Sequence, residues 1–272
     1  MNKQFTVLGA GGFIGARLVS HLKANGHVVY APTRGDTQVF QRELGHVIYC
    51  IGMTADFRTR PFDTIDAHIT VLAKVLERAR FDSLLYLSST RIYANKDVGN
   101  ETSLLQVDSS DPSDLYNISK LAGESLCRSC GRSKVKVARL SNVVGEDHDS
   151  QNFLSQLIRE ALSGRIELQS DPASAKDYIL LDDVVALLSR IAVEGKEWLY
   201  NVGSGINVSH RDIVARLAEL TGCEVTTRPG APRIDFPVID VTRIWSEFGF
   251  SAAPVLESLP RLIAAYRNQP SR

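Results

Sequence analysis

A tyrosine and a lysine four residues apart, Tyr116 and Lys120 in the stretch LYNISKLAGE, are a first candidate for acid/base chemistry. On a helix, residues i and i+4 share a face, so the phenol and the ammonium can approach each other. A free tyrosine has a pKa of about 10, and a nearby cation stabilises its phenolate. The pair could therefore move a proton to or from an alcohol or sugar oxygen, although the spacing alone is common.

Hydroxyl groups precede this pair at the end of an apolar stretch, YLSSTRIYA. Ser88, Ser89 and Thr90 follow a run that is typical of a buried strand. Doubly wound sheets place their ligands at the carboxyl ends of their strands, where Ser89 could hydrogen-bond the same reacting oxygen. The alternative is that these hydroxyls only cap the end of the strand.

Glycines near the amino terminus have a spacing typical of phosphate-binding turns. In GAGGFIG they lie between an apolar, strand-like run and a helical pattern. Side chains here would block a tight turn, the approach of the backbone to a pyrophosphate, and close packing of the helix on the strand. The free N–H groups that begin the helix would bind the pyrophosphate. We therefore predict a dinucleotide site that includes Gly9, Gly12, Phe13, Ile14 and Gly15.

The end of the second strand-like run, VVYAPTRGD, bears on which dinucleotide binds. An acidic residue there accepts hydrogen bonds from the ribose hydroxyls of NAD, whereas an arginine binds the 2′-phosphate of NADP. Thr33 and Arg34 stand at this position, so NADP is favoured. Asp36 nearby keeps NAD possible, and Arg34 could also be an ordinary residue of a solvated loop.

The elements that would position these residues alternate along the first 200 residues. Apolar runs such as FTVLGA, HVIYCIG and SLLYLSST are followed by amphipathic segments such as GFIGARLVSHLKANG and AHITVLAKVLERAR. This alternation is typical of a parallel sheet covered by helices on both faces. Right-handed β-α-β connections then favour an α/β fold with a Rossmann-like doubly wound sheet. From Asn207 onward the pattern changes, with a helix predicted after Ser209 and a proline-rich stretch, RPGAPRIDFP.

Composition narrows the class of protein. The chain has 272 residues, 44% of them hydrophobic, and its 31 basic residues balance 31 acidic ones. Because the net charge is close to zero, neither nucleic acid nor an anionic membrane is an expected partner. No apolar run reaches the about 18 residues of a membrane span, and no signal peptide is recognised, so we expect a cytoplasmic protein. Cys127 and Cys130 lack a second cysteine pair, so no metal site is expected.

Together these motifs resemble the extended short-chain dehydrogenase/reductases, the NAD-dependent epimerase/dehydratase family that modifies nucleotide-activated sugars. The likeness covers nearly the whole chain, in the order GAGGFIG, LSSTRIYA, YNISKLAGE, ARLSNVVG, KDYILLDDVV, YNVGSG and RPGAP. It implies a dinucleotide-binding Rossmann domain formed by residues 1–145 and completed by about 177–206. Residues 146–176 and 207–272 would then form a smaller, C-terminal substrate-binding region.

The resemblance implies roles for the residues of the candidate catalytic group. Tyr116 would be the acid/base that exchanges a proton with the substrate. Lys120 would lower the pKa of Tyr116 and bind the cofactor ribose. Ser89 would orient the substrate oxygen.

The substrate contacts implied by the resemblance include both matches and departures. Asn142 matches an asparagine that contacts the nucleotide diphosphate, and Arg228 matches a basic residue that neutralises it. A turn asparagine and a surface arginine are the alternatives. Lys176 replaces an arginine, which keeps a charge for phosphate but loses the planar fork. Thr90 and Arg91 stand where dehydratases of the family carry an Asp–Glu pair, so dehydration is not expected.

Two further departures concern the cofactor side. The segment TRGDTQVFQRELG is shorter than the strand and helix that the family places there, so we expect a trimmed edge of the sheet. His68 occupies a helical position that is usually asparagine. We expect a structural histidine there, although a titrating group is the alternative.

Three functions are compatible with this pattern. The first is an NADPH-dependent reductase of a 4-keto nucleotide sugar, with Tyr116 protonating the oxygen. The second is a nucleotide-sugar 4-epimerase with tightly bound NAD, and the third is a non-catalytic protein that senses a dinucleotide. Family members often pair through the helix of the Tyr–Lys motif and the preceding helix, AHITVLAKVLERAR, so a homodimer is expected.

Overall fold

The structure is a computed structural model that describes residues 2–53, 56–94, 97–147 and 150–268. Its strands are β1 (Gln4–Leu8), β2 (Val28–Tyr30), β3 (His46–Tyr49), β4 (Ser83–Ser89), β5 (Val98–Gly99), β6 (Val135–Leu140), β7 (Asn142–Val144), β8 (Arg165–Leu168), β9 (Ala175–Leu180), β10 (Leu199–Val202), β11 (Asn207–Ser209), β12 (Glu224–Thr227) and β13 (Val238–Ile239). Its α-helices are α1 (Phe13–Ala24), α2 (Pro61–Ile65), α3 (Val71–Arg78), α4 (Leu115–Ser129), α5 (Phe153–Leu162), α6 (Leu181–Glu194), α7 (His210–Thr221), α8 (Thr242–Phe248) and α9 (Val255–Asn268).

Six parallel strands form the central sheet in the order β10-β6-β4-β3-β1-β2. The chain runs from β1 to β2 in one direction and from β3 through β4, β6 and β10 in the other. The switch between these directions lies at β1 and β3, where doubly wound sheets bind ligands. The predicted Rossmann-like doubly wound α/β fold is therefore confirmed.

Helices cover both faces of this sheet, which explains why its strands are continuous apolar runs. On one face, Leu18 and Leu22 of α1 and Leu188 of α6 belong to a core with the side chains of β1 and β10. On the other face, Leu72 of α3 and Cys127 of α4 pack against β3 and β4. All five side chains are 3% exposed or less, and burying one leucine contributes about 1.5–3 kcal/mol.

The edge of the sheet beside β2 is short, as the sequence predicts. Within the described residues, β2 is the last strand on this side. The connection to β3 holds only a 3₁₀ turn, Thr37–Phe40, where the family pattern has another strand. Asp36 caps this turn by accepting a hydrogen bond from the Gln38 amide at 2.9 Å.

The long helix predicted for AHITVLAKVLERAR is interrupted. Residues Asp66–Thr70 form a π-helical turn between α2 and α3. His68 lies in this turn and is fully buried. Such π turns are frequent at functional sites, and this one brings His68 against α4.

A second apolar core lies outside the central sheet. It is formed mainly by α5, α7 and α9 with β8 and β9. Strand β9 pairs with β7 and β11, and β8 pairs with β12. The predicted cap is present, because Ser209 Oγ accepts a hydrogen bond from the Asp212 amide at 3.1 Å at the start of α7.

Helix α8 does not belong to this second core. Ile244 and Phe248 pack instead with α6 and β10 in the first core. Residues 207–268 therefore contact both cores, and the proposed boundaries of the substrate-binding region stay a prediction.

The described part of the chain has no helix that is both long and apolar enough to cross a membrane.

The C-x-x-C cysteines lie at the end of α4 as free thiols. Cys130 Sγ donates a hydrogen bond to the Cys127 carbonyl at 3.2 Å, and burial raises the pKa of Cys127. A thiol with a raised pKa is little activated as a nucleophile.

Candidate active site

A cleft of about 570 Å³ opens at the carboxyl ends of β1, β3, β4 and β6. It brings together ten of the predicted site residues: Gly12, Phe13, Ile14, Gly15, Ser89, Thr90, Tyr116, Lys120, Asn142 and Lys176. The other four predicted residues are not among the described residues that line it: Gly9, Thr33, Arg34 and Arg228. Most of the predicted site thus converges, although its members are spread over 165 residues.

The glycine turn leads from β1 into α1 at one side of the cleft. Gly9 has a φ of +85°, and a Cβ there would lie 2.8 Å from the backbone of Cys50 and Ile51. A Cβ at Gly15 would collide with the Gly9 carbonyl oxygen. Only glycine therefore allows this turn and the close packing of α1. Helix α1 begins at the cleft with its free amides, which suits a diphosphate.

Tyr116 lies at the start of α4 and is 5% exposed. Burial raises the pKa of its phenol, while a side-chain hydrogen bond with Ser89 and the charge of Arg91 act to lower it. The predicted lowering of this pKa by Lys120 stays a prediction. The pKa is raised, and the cation that opposes the rise is Arg91.

Lys120 lies one helical turn later and is also 5% exposed. Its Nζ donates a hydrogen bond to the Leu87 carbonyl at 2.9 Å and lies 5.9 Å from the centroid of the Tyr116 ring. Burial lowers the pKa of Lys120 to about 7, and the charge of Glu124 acts in the opposite direction. The two groups share a helix face as predicted, but the low pKa leaves Lys120 partly neutral at pH 7.

His68 connects the cofactor side of the cleft to α4. Its Nε2 accepts a hydrogen bond from the Met53 amide at 3.1 Å, and its Nδ1 lies 2.8 Å from Ser119 Oγ. Because Ser119 Oγ donates to the Tyr116 carbonyl, Nδ1 must carry the proton and donate to Ser119. Burial and the charge of Lys120 lower the pKa of His68 to about 2. The expected structural histidine is therefore confirmed as a neutral imidazole with both nitrogens bonded.

Arg91 is a cleft residue that sequence reasoning used only as a departure from the dehydratases. It follows Ser89, whose hydroxyl accepts its backbone N–H at 3.2 Å. The guanidinium carbon lies 5.5 Å from the centroid of the Tyr116 ring and 4.9 Å from that of Phe57. Arg58 lies 4.4 Å from the same Phe57 ring. No spacing in the sequence predicts that Arg58 and Arg91 both lie against the Phe57 ring.

The predicted diphosphate contacts lie on the far wall of the cleft. Asn142 Nδ2 donates a hydrogen bond to the Asp177 carbonyl at 2.8 Å. Lys176 Nζ lies 5.6 Å from the centroid of the Phe153 ring and 5.4 Å from that of Phe236. Lys176 therefore lies beside a pair of aromatic rings that also line the cleft.

Three of the four predicted residues outside the cleft are exposed: Thr33, Arg34 and Arg228. Arg228 follows β12, and Thr33 and Arg34 follow β2. Asp36, the acid that kept NAD possible, accepts a hydrogen bond from the Tyr30 hydroxyl at 2.7 Å. Its other carboxylate oxygen caps the 3₁₀ turn, so both oxygens already have protein partners.

Behind the cleft, α4 takes part in a buried polar network. Glu124 accepts two hydrogen bonds from Arg139, at 3.0 and 2.6 Å, and a third from Ser88. Arg139 also donates to the Tyr93 hydroxyl at 2.6 Å, which donates to Asn201 at 2.9 Å. This network ties α4 to β4, β6 and β10 beneath the candidate catalytic residues.

Comparisons with known proteins agree with this geometry. The sequence pattern of the NAD dependent epimerase/dehydratase family matches residues 5–203. The dTDP-glucose 4,6-dehydratase of Streptomyces griseus is 26% identical over 201 residues, which cover 70% of this chain and 60% of that enzyme. The GDP-6-deoxy-D-mannose reductase of Pseudomonas aeruginosa is 26% identical over 256 residues, covering 83% and 82%. The chain thus spans three fifths of the first relative and about four fifths of the second.

Solved structures share the fold over nearly the whole chain. MoeE5 in complex with UDP-glucose and NAD superimposes with a TM-score of 0.82 at 27% identity, covering 97% of this chain and 98% of MoeE5. MoeE5 has also been solved with UDP-glucuronic acid and NAD. RMD from Pseudomonas aeruginosa, complexed with NADPH, has a TM-score of 0.81 at 20% identity, covering 98% and 100%. These structures bind NAD or NADPH in the same fold.

Proposed function

This chain belongs to the NAD dependent epimerase/dehydratase family, and from that premise we propose that it is an NAD(P)-dependent oxidoreductase that reduces a 4-keto nucleotide sugar. The observation that carries the proposal is the convergence of Ser89, Tyr116 and Lys120 in one cleft, beside a glycine turn that opens a helix. A hydroxyl, a phenol and an amine at the carboxyl edge of a doubly wound sheet suit proton transfer to a sugar oxygen.

The residues of the glycine turn fit a dinucleotide. Gly9 and Gly15 leave no room for a Cβ, and α1 begins at the cleft with Phe13 and Ile14, whose backbone amides belong to the first turn and have no partner within the helix. A diphosphate would accept hydrogen bonds from these amides. When bound, the nicotinamide would supply the hydride that the keto carbon takes up.

NADP is the proposed cofactor. Arg34 is exposed beside the trimmed edge of the sheet, where an adenosine 2′-phosphate would accept its charge-assisted hydrogen bonds. Thr33 adds a hydroxyl at the same position. Asp36, the acid that would bind a ribose, is held by Tyr30 and by the 3₁₀ turn.

The raised pKa of Tyr116 favours the direction of reduction. A buried phenol whose pKa lies above its ordinary value stays protonated at neutral pH, so it can donate a proton to the oxygen of a keto sugar. Ser89 would hydrogen-bond the same oxygen. Lys120 would bind the cofactor ribose and stabilise the phenolate left behind, and Arg91 would add to that stabilisation.

The remaining site residues would hold the nucleotide. Asn142 and Lys176 are proposed to contact the diphosphate, with Thr90 beside the sugar. Arg228 is proposed to join them from its exposed position after β12. MoeE5, the structural relative at 27% identity, binds UDP-sugars, which supports a nucleotide sugar as the substrate.

A 4-epimerase with tightly bound NAD is the second candidate. The observation in its favour is that the complexes of MoeE5 contain NAD rather than NADP. An epimerase would return the hydride to the opposite face of the sugar, so its cofactor would not be consumed.

One experiment separates these reactions. Purified protein is analysed by mass spectrometry for copurified cofactor, and then assayed with 4-keto UDP-, TDP- and GDP-sugars in the presence of NADPH or NADH. Stoichiometric oxidation of NADPH supports the reductase. Interconversion of UDP-glucose and UDP-galactose without added cofactor supports the epimerase. Cofactor binding without turnover of any substrate would instead indicate the dinucleotide sensor.

We also propose a homodimer that pairs through α4 and the segment 67–80. This expectation follows from the family and is checked by light scattering of the purified chain. A single mass near twice 29.9 kDa supports it, and a monomer at micromolar concentration contradicts it.

A further inference from the structure

The cleft has an unusual balance of charge. Among the described residues that line it, four are cationic: Arg58, Arg91, Lys120 and Lys176. Asp177 is the one acid in that lining. The cleft therefore suits a ligand with more than one negative group.

Asp177 does not neutralise these cations. Its carboxylate accepts hydrogen bonds from the amides of Ser204 and Gly205, at 3.0 and 2.6 Å, and from the Ser204 hydroxyl at 3.0 Å. The side chain is buried and faces the loop after β10. The Asp177 carboxylate therefore binds the loop after β10 and does not pair with the cations of the cleft.

Arg91 stands on the side of the cleft where the sugar must react. Its guanidinium lies 5.5 Å from the centroid of the Tyr116 ring, and it makes one long hydrogen bond, 3.5 Å, to the Ser113 carbonyl. Most of its five donor N–H groups are therefore available to a ligand. Phe57 supports the guanidinium from one side.

Like charges surround Arg91 within the cleft. Burial and the charge of Arg58 lower the pKa of Arg91, and the charge of Arg91 lowers that of Lys176. Asp111 and Asp114 act on Arg91 in the opposite direction, from the turn before α4. An anion bound to Arg91 would offset this repulsion.

We propose that Arg91, assisted by Arg58, binds a carboxylate on the sugar ring, so that the substrate is a nucleotide-activated uronic acid. This inference rests on the proposed function. In a pyranose, carbon 5 is the neighbour of carbon 4, so a sugar that reacts at carbon 4 beside Tyr116 would carry its carbon 6 carboxylate close to the reacting carbon, and the Arg91 guanidinium lies 5.5 Å from the Tyr116 ring. A guanidinium matches a carboxylate in a bidentate fashion, and Lys176 and Asn142 remain for the diphosphate.

The test compares sugars that differ only at carbon 6. Binding of UDP-glucose and UDP-glucuronic acid, and of GDP-mannose and GDP-mannuronic acid, is measured by calorimetry on the full chain saturated with NADP⁺ or NAD⁺. For the preferred nucleotide, we expect the uronic acid to bind about tenfold to a hundredfold more tightly than the neutral sugar.

Variants then test which residue causes the preference for the uronic acid over the neutral sugar. Arg91→Gln should abolish the preference, because it should weaken binding of the uronic acid by a larger factor than binding of the neutral sugar, and Arg91→Lys should restore part of the preference. Arg58→Gln should reduce it by a smaller factor. Arg128→Gln is the matched control, because it removes an exposed charge near the far end of the same helix, α4, and should keep the full preference.

The failures are distinguishable. Equal affinity of the wild-type protein for both members of every pair would overturn the inference and leave the proposed function intact. A loss in Arg91→Gln that is equal for neutral and acidic sugars would also overturn it, because Arg91 would then serve the diphosphate. If the cofactor binds but no nucleotide sugar does, the proposed function fails and the inference fails with it. If Arg91→Gln does not fold, Arg58→Gln and Arg91→Lys decide.

Discussion

Helix α4 carries two buried polar regions that differ in how their charges are partnered. At the core end, Glu124 and Arg139 form a bidentate pair whose remaining groups bond Ser88 and Tyr93. At the cleft end, Tyr116 and Lys120 are equally buried, but burial has raised the pKa of the first and lowered that of the second to about 7. Both regions cost desolvation, which the core end offsets with a bidentate ion pair, whereas Lys120 and Tyr116 have the neutral partners Leu87 and Ser89.

This difference indicates a division of labour along one helix. The hydrogen-bonded network fixes the position of α4 on the sheet, because breaking any of its bonds leaves a buried polar group without a partner. At the cleft end, Lys120 bonds the Leu87 carbonyl and Tyr116 bonds Ser89, and neither forms an ion pair among the described residues. A group with a displaced pKa is poised for proton transfer, which is why such groups cluster at functional sites.

The largest expected effect is on turnover at the cleft end. Tyr116→Phe should lower kcat by about 10²- to 10⁴-fold, because the proton donor is lost, while cofactor affinity and the melting temperature change little. Tyr200→Phe is the matched control, since it removes another buried tyrosine hydroxyl, one that bonds Glu247 away from the cleft. Turnover of Tyr116→Phe within a few-fold of wild type would remove Tyr116 from the proposed chemistry.

The core end should respond in stability. Arg139→Met leaves Glu124 buried without its cation, which should lower the free energy of unfolding by about 3–5 kcal/mol in chemical denaturation. Arg216→Met is the control, because it breaks an Arg–Glu pair on the surface with Glu219, and the expected loss there is about 0.5 kcal/mol or less. Equal losses in the two variants would contradict the claim that the buried network anchors α4.

The parts of the molecule also differ in how far the sequence could predict their positions. Gly9 and Gly15 are required locally, by a tight turn and by the close packing of α1, so their spacing predicts their positions. Ser209 predicts a helix start for the same reason. The guanidinium groups of Arg58 and Arg91 both lie against the Phe57 ring. Arg91 reaches this ring because the chain folds back over more than thirty residues, and no local pattern predicts its contact with Phe57.

Protonation states were less predictable than positions. The i, i+4 spacing of Tyr116 and Lys120 correctly places them on one face, but it does not determine their pKa values. Those values depend on burial by β3, β4 and the π turn, and burial outweighs the attraction that the spacing suggests. The same holds for His68, whose neutral state follows from its burial and from the charge of Lys120.

His68 joins the two sides of the site, and its replacement should have an intermediate effect. His68→Leu leaves the Met53 amide and the Ser119 hydroxyl without their partner, which should cost about 1–3 kcal/mol of stability. Because Met53 lines the cleft, we also expect a raised KM for the cofactor with a smaller change in kcat. His68→Asn can keep part of the bonding and should lose less.

The pH dependence of the His68 variants provides a separate check. A pKa of about 2 keeps the imidazole neutral throughout the working range, so His68→Asn should leave the pH profile of kcat unchanged above pH 4. A profile limb near pH 6 that vanishes in His68→Asn would show that His68 titrates.

The smallest effect is expected from the titration of Lys120. It can change the free energy of unfolding by at most about 1.4 kcal/mol for each pH unit. Its pKa is about 7 in the folded chain and 10.5 by its ordinary value. Between these values the unfolded chain holds a proton that the folded chain lacks, so the free energy of unfolding should rise with pH. Below pH 7 both states are protonated, and the full burial penalty remains.

Lys120→Met removes this titration, so the difference in unfolding free energy between wild type and variant should shift steadily between pH 7 and 9 in favour of wild type. Lys74→Met, which replaces an exposed lysine of α3, should give a difference that does not vary with pH. If the Lys120→Met difference is also flat, Lys120 keeps its proton when folded. The cleft end would then hold a stable charge, as the core end does, and the contrast between the two ends of α4 would rest on Tyr116 alone.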